Sequence, residues 1–123
     1  MQFPRWMDAT LRIEWACVAL VAAAVFAAMG GSWLLVAILV LAPDLSMFFY
    51  LAGPRIGAFA YNLVHALIGP TVLAGIAWTA DSTITLQIAL IWAFHIAVDR
   101  ALGYGLKLPT SFQDTHLGRI GQG

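Results

Sequence analysis

The chain has 123 residues, of which 62% are hydrophobic and only 10% charged, with a formal net charge of zero. Soluble domains carry about 25% charged residues, so this composition, with a mean hydropathy of +0.87, excludes intrinsic disorder, argues against a water-soluble globule and leaves an integral membrane protein. Six basic residues are matched by six acidic ones and form no basic patch, so nucleic acid is not an expected partner.

The first apolar stretch is rich in alanine and runs from about Trp15 to Met29. A bilayer core of about 30 Å needs roughly 20 helical residues, so this span should begin near Leu11. Asp8 and Glu14 put acidic charge in its leading region, and the run exceeds the usual apolar core of a cleaved signal peptide, about 7–15 residues. It is therefore expected to be retained. Ala16, Ala19, Ala22, Ala23 and Ala27 offer a small-residue surface for close helix packing. Cys17 is the single cysteine; it excludes an intramolecular disulfide and is expected to pack as a small hydrophobe.

Gly30-Gly31-Ser32 leads to a second stretch from about Trp33 to Ala52, interrupted by Pro43 and Asp44. Its Phe48, Phe49 and Tyr50 should face lipid or a neighbouring helix. Gly53-Pro54-Arg55 leads to a third stretch, Ile56 to Ala80, which has no charged residue. Asp81-Ser82 leads to the fourth, about Ile84 to Leu102, which carries His95, Asp99 and Arg100. Links this short force antiparallel neighbours. The expected fold is all-α: an integral-membrane up-down four-helix bundle in residues 1–105, with spans near 11–29, 33–52, 56–80 and 83–104. Residues 106–123 form a polar tail. Tyr104, Phe112 and Leu117 imply that this tail folds back on the cytoplasmic end of the bundle.

With four spans, the N-terminus, the Gly53–Arg55 turn and the tail share one side. All six basic residues (Arg5, Arg12, Arg55, Arg100, Lys107 and Arg119) fall toward that side, which the positive-inside rule makes cytoplasmic. Trp33 and Trp78 then sit at the outer interface, where an aromatic belt is expected.

Asp44, His65 and His95 each lie about ten residues from the cytoplasmic end of their helix. At 1.5 Å rise per residue, each sits roughly 15 Å deep, near mid-membrane. Asp99 follows His95 by one turn, on the same face and closer to the cytoplasm. Tyr61 and Asn62 accompany His65, and Glu14 lies at a depth that would let it pair with Arg100. Ionisable groups at this depth cost several kcal/mol unless paired or hydrated, so they should face the interior. Two imidazoles and two carboxylates suit a divalent metal such as zinc, iron or manganese. They equally suit a proton relay, and two histidines at one depth also suit axial haem ligation. A purely structural role stands beside these. Asp44 can cap a helix restarting after Pro43, the histidines can bond to each other or to freed carbonyls, and Asp99 can pair with a basic residue. Pro43 and Pro70 each disturb the carbonyl four residues earlier. In the tail, Asp114 and His116 can cover a cavity or add a ligand, or His116 can simply be solvated.

Pro43-Asp44-Leu45-Ser46, Tyr61-Asn62 with His65, His95 with Asp99-Arg100, Gly103-Tyr104-Gly105-Leu106-Lys107 and Asp114-Thr115-His116-Leu117-Gly118 together resemble a family of small bacterial integral-membrane proteins, domain of unknown function 4260. The resemblance runs from about Leu11 to Ile120 and implies a protein of the bacterial inner membrane. It implies no particular reaction, cofactor or partner. Three functions stay open: a membrane metalloprotein acting on a lipid-soluble substrate, an accessory subunit of a larger membrane complex, and a small proton or substrate path needing a homo-oligomer.

Overall fold

A computed structural model describes residues 4–120. Four helical spans are long and apolar enough to cross a membrane: Arg5–Ala28, Trp33–Ala52, Pro54–Thr79 and Thr83–Leu102. They form an all-α four-helix bundle. The first span is one helix, α1 (Arg5–Ala28). The second is α2 (Trp33–Leu39) continued by a 3₁₀ helix (Ala42–Ala52). The third is α3 (Pro54–His65) and α4 (Ile68–Thr79). The fourth is α5 (Thr83–Leu102). A two-residue hairpin, β1 (Asp114–Thr115) and β2 (Gly118–Arg119), closes the tail.

α5 is the axis of the bundle. α1 packs along one side of it and α4 along another, while α3 packs against the 3₁₀ helix. The interior is made of small residues, among them Ala19, Ala22, Ala58, Ala77, Ala89 and Ala97, with Phe26, Ile91 and Ile96 filling between them. Alanine lets backbones approach closely, which is how helices associate where lipid is as apolar as leucine. Large apolar side chains such as Leu20, Ile38, Leu51, Phe59 and Trp78 point outward. That inside-out distribution suits a bilayer as solvent. Ser32 and Ser82 cap α2 and α5, each accepting from the N–H three residues on at 3.3 Å, as a serine N-cap does. Gly103, at φ +96°, ends α5 in the left-handed conformation that glycine adopts without strain.

The start of the first span differs from expectation. The first helix starts at Arg5 rather than near Leu11. Its opening turns carry Arg5, Asp8 and Arg12, so they are invisible to a search for apolar runs. The second and third spans are each broken ahead of a proline, as Pro43 and Pro70 imply. α2 stops at Leu39, four residues before Pro43, and α3 gives way at Ala66, four residues before Pro70. In both cases the proline ring collides with the carbonyl four residues back and offers it no N–H.

Side-chain placements also differ. Cys17 is exposed on the outer face of α1, and Ala27 is exposed too. Phe48 and Phe49 point outward, whereas Tyr50 packs edge-on against Phe112 with centroids 5.4 Å apart. Glu14 is exposed and does not pair with Arg100. Arg12 is the residue that ties α1 to α5: its Nε and Nη2 donate to the carbonyls of Ala101 and Leu102 at 2.8 and 3.0 Å. Those are orphan carbonyls at a helix C-terminus, where a cation is favoured.

The tail folds back as the aromatic residues imply. Asn62 Nδ2 donates to the Lys107 carbonyl at 2.8 Å, and the Lys107 N–H donates to Asn62 Oδ1 at 2.6 Å. This two-point clamp pins the tail to α3. Residues 121–123 of the expected tail lie outside the described residues.

Candidate metal centre

The two helix breaks create the site. A helix that stops leaves its last carbonyls without partners, and here side chains from α5 take them. His95 Nδ1 donates to the Val40 carbonyl. Trp92 Nε1 donates to the Val64 carbonyl at 2.7 Å, and Arg100 Nη2 to the His65 carbonyl at 2.9 Å. A Cβ at Gly69 would overlap the Trp92 ring, so glycine there lets the indole reach the break. His65 Nδ1 donates to the Tyr61 carbonyl one turn back, at 2.9 Å.

A carbonyl can only accept, so each Nδ1 carries its proton. In the neutral tautomer each Nε2 is then a lone pair. Both lone pairs face the same two carboxylates. His65 Nε2 lies 3.2 Å from Asp44 Oδ1 and 3.6 Å from Asp99 Oδ2; His95 Nε2 lies 3.1 Å and 3.4 Å from the same atoms. All four ligand atoms are within 4.8 Å of one another. The His65 side chain is fully buried and that of His95 is 5% exposed, whereas Asp44 is 33% and Asp99 18% exposed. The cluster is sealed on its imidazole side and open on its carboxylate side.

The separations bear on what joins these groups. A charge-assisted hydrogen bond between imidazolium and carboxylate is short, about 2.7–2.9 Å. A tetrahedral ion with bonds of about 2.0–2.1 Å holds its ligand atoms about 3.3–3.4 Å apart. The four imidazole–carboxylate separations bracket the second value, and the two to Asp44 Oδ1, at 3.2 and 3.1 Å, are also within ordinary hydrogen-bond range. Haem does not fit: the His65 and His95 ring centroids are 5.2 Å apart and meet edge to face, leaving no gap for a macrocycle between axial ligands.

The structure brings Asp44, His65, His95 and Asp99 to one point. Asp99 joins that point directly rather than sitting one turn below. The level is also nearer the tail end of α5 than expected. α5 stops at Leu102, which puts His95 about 10 Å from the helix end. Tyr61 stacks flat on His65, with centroids 3.7 Å apart and planes 6° off parallel. Arg100 also donates to the Tyr104 carbonyl at 3.1 Å and lies over the Trp15 ring at 5.9 Å.

Two expected contributors stay outside. Asp114 bonds Thr110 and pairs with Arg119; the Thr110 hydroxyl, ahead of Ser111 and Arg119, holds its carboxyl below the usual range. His116 Nδ1 accepts from the Leu106 N–H at 2.8 Å. Burial and the Arg100 charge keep its imidazole below its ordinary value. Both hold the hairpin in shape. Lys107 and Trp92 were not singled out as site residues. Trp92, three residues before His95 on the same helix face, carried a signal in its spacing. A lysine just past a helix end reads as a surface charge, and only the folded-back tail buries it.

This arrangement defines a class: a small multi-span helical membrane protein with a buried pair of imidazoles and a pair of carboxylates. Within that class the chain belongs to the family described as Domain of unknown function (DUF4260), whose model matches residues 8–120. No curated protein and no solved structure matches the chain.

Proposed function

We propose that the protein is a membrane-embedded metalloprotein holding one divalent transition-metal ion of the zinc class between Asp44, His65, His95 and Asp99. The observation that carries this reading is the convergence of four acceptor atoms, with both Nδ1 protons already committed to backbone carbonyls. Metal-bound histidines characteristically donate their other N–H in this way, which fixes tautomer and ring orientation. The competing account is a hydrogen-bonded network in which a protonated imidazole donates from Nε2 to Asp44 Oδ1, at 3.2 Å from His65 and 3.1 Å from His95, and metal analysis separates the two.

An ion so held would supply a Lewis acid, and it would activate a water only where one of the two carboxylates, Asp44 or Asp99, gave up its position or the ion took a fifth ligand. Hydrolysis of a lipid-soluble substrate is the chemistry that fits best. The carboxylate side is the open side. Beside it an apolar groove of about 300 Å³ runs between the broken spans and α5, lined by Leu39, Pro43, Val64, Ile88 and Trp92 among others. Its volume is at the lower bound of ordinary ligand pockets. Pro43 and Val64 are chain neighbours of Asp44 and His65, although none of the four cluster residues lines the groove. The placement of all six basic residues supports a multi-pass protein with both termini in the cytoplasm, and the family resemblance supports the bacterial inner membrane.

The test is metal analysis of the full chain purified in detergent and dialysed against zinc. One equivalent is expected in the wild type. Asp44→Asn, which keeps the volume and removes the charge, should lower zinc affinity by at least the roughly 10–100-fold lost when only an outer partner of a ligand is removed. Wild type that takes up no zinc, manganese or iron would sink the reading.

A further inference from the structure

Lys107 is 4% exposed, yet among the described residues its ammonium has neither a carboxylate within salt-bridge distance nor a hydrogen-bond acceptor. It lies over two aromatic faces, 3.8 Å from the Phe112 centroid and 4.8 Å from that of Tyr61. Tyr61 in turn stacks on His65, so one ring separates the ammonium from the candidate metal ligand. The backbone of Lys107 is fixed on both sides by Asn62. Close by, the Tyr50 hydroxyl is buried without a partner, and its ring meets the Phe112 ring edge-on. Two unused donors thus flank the same phenyl ring.

Charge balance gives the same answer. Asp44 and Asp99 bring two negative charges to the interior. Arg100 and Lys107, both buried, bring two positive ones, and Arg100 spends its bonds on neutral carbonyls. The metal-free site is balanced. A divalent ion adds two positive charges, which favours an anion beside it. A phosphate group carries about −1.5 to −2 at neutral pH and three strong acceptor oxygens.

We infer that Lys107 and Tyr50 form an oxyanion subsite on the tail side of the metal centre, shaped for the phosphate group of the substrate or product. The inference rests on the metal reading and deepens it by naming the substrate class: a phosphorylated molecule, whether a membrane lipid with a phosphate headgroup or a free phosphate. Burial lowers the proton affinity of the Lys107 amine, against the pull of Asp99 and Asp44, and a bound anion would restore it.

The experiment uses the full chain in dodecyl maltoside, analysed for zinc before titration. Inorganic phosphate and dihexanoyl phosphatidic acid are titrated separately by calorimetry. The zinc-loaded wild type should bind at least one of them, and the metal-free protein should bind it more weakly. Lys107→Met keeps the stem over both rings and should weaken binding by about tenfold or more, as loss of a charged hydrogen bond does, with zinc content unchanged. Lys107→Arg should retain most of the affinity. Tyr50→Phe should weaken binding while leaving the ring on Phe112, and it decides the matter if Lys107→Met fails to fold. Tighter binding of phosphatidic acid identifies a lipid headgroup as the source; equal binding identifies free phosphate. A zinc-loaded wild type that binds neither probe overturns the inference alone, as does Lys107→Met or, failing that variant, Tyr50→Phe binding as tightly as wild type. A chain that takes up no metal overturns the metal reading and this inference together.

Discussion

His95 shows how much one side chain is asked to do. Its Nδ1 ties α5 to the broken second span through the Val40 carbonyl, and its Nε2 faces both carboxylates. A Gln at this position can keep one of these contacts, because its amide offers donors and an acceptor but not both ring positions. Removing one partner from a buried polar group costs about 1–3 kcal/mol, so His95→Gln should melt at a lower temperature than wild type whatever the site holds. The response to metal separates the readings. Zinc at about 100 times its dissociation constant should stabilise the wild type by about 2.7 kcal/mol, a rise of several degrees, and should leave His95→Gln nearly unmoved. The measurement is the melting temperature of both proteins with and without zinc. If both rise equally, the ion binds elsewhere and the His/Asp cluster is a structural network.

At the scale of elements, the sequence carried more than its apolar runs showed. The four spans were legible because nothing but membrane helices tolerates so few charges over such lengths. Pro43 and Pro70 were visible too, and the rule that a proline disturbs the carbonyl four residues back points to Leu39 and Ala66, where the helices stop. What could not be read was helix rotation. Equal spacing from the turns says nothing about which way Asp44 or Glu14 faces, so depth points to the cluster and equally to a Glu14–Arg100 pair that the fold does not make. The tail was legible only as something that packs. Its register depends on Asn62 and on His116, whose Nδ1 accepts from the Leu106 N–H. That bond gives the tail a pH dependence. Burial, with help from Arg100, lowers the folded-state proton affinity of His116, so the folded form takes up its proton at lower pH than the unfolded form. Docking of the tail is then at full strength above the unfolded value of about 6.5 and weakens as pH falls through it toward the folded value. Hydrogen exchange at the Leu106 amide should quicken as pH drops from 7.5 to 5.5, after correction for intrinsic rates. His116→Phe should remove that dependence. An amide equally protected at both pH values would show that the hairpin stands without the imidazole.

For the whole molecule, the placement of charge predicts which side each end of the bundle faces. The Ser32 and Ser82 turns carry no basic residue, whereas the opening turns of α1, the Gly53–Arg55 turn, the last turn of α5 and the tail carry all six. The folded chain adds a physical reason for these ends to stay together. Arg12 bonds the last carbonyls of α5 and Asn62 clamps the tail to α3, so moving either terminus across the bilayer would break bonds at the same face. With Cys17→Ala as background, Ser32→Cys in intact cells should react with a membrane-impermeant maleimide, and Pro109→Cys in the tail should react only after the membrane is opened. Loss of the serine cap costs about 1 kcal/mol, too little to invert a four-span bundle. Labelling of position 109 but not 32 in intact cells would reverse the topology. It would also put the open carboxylate side, Lys107 and the proposed oxyanion subsite toward the outside, so that any phosphorylated substrate would have to arrive from there.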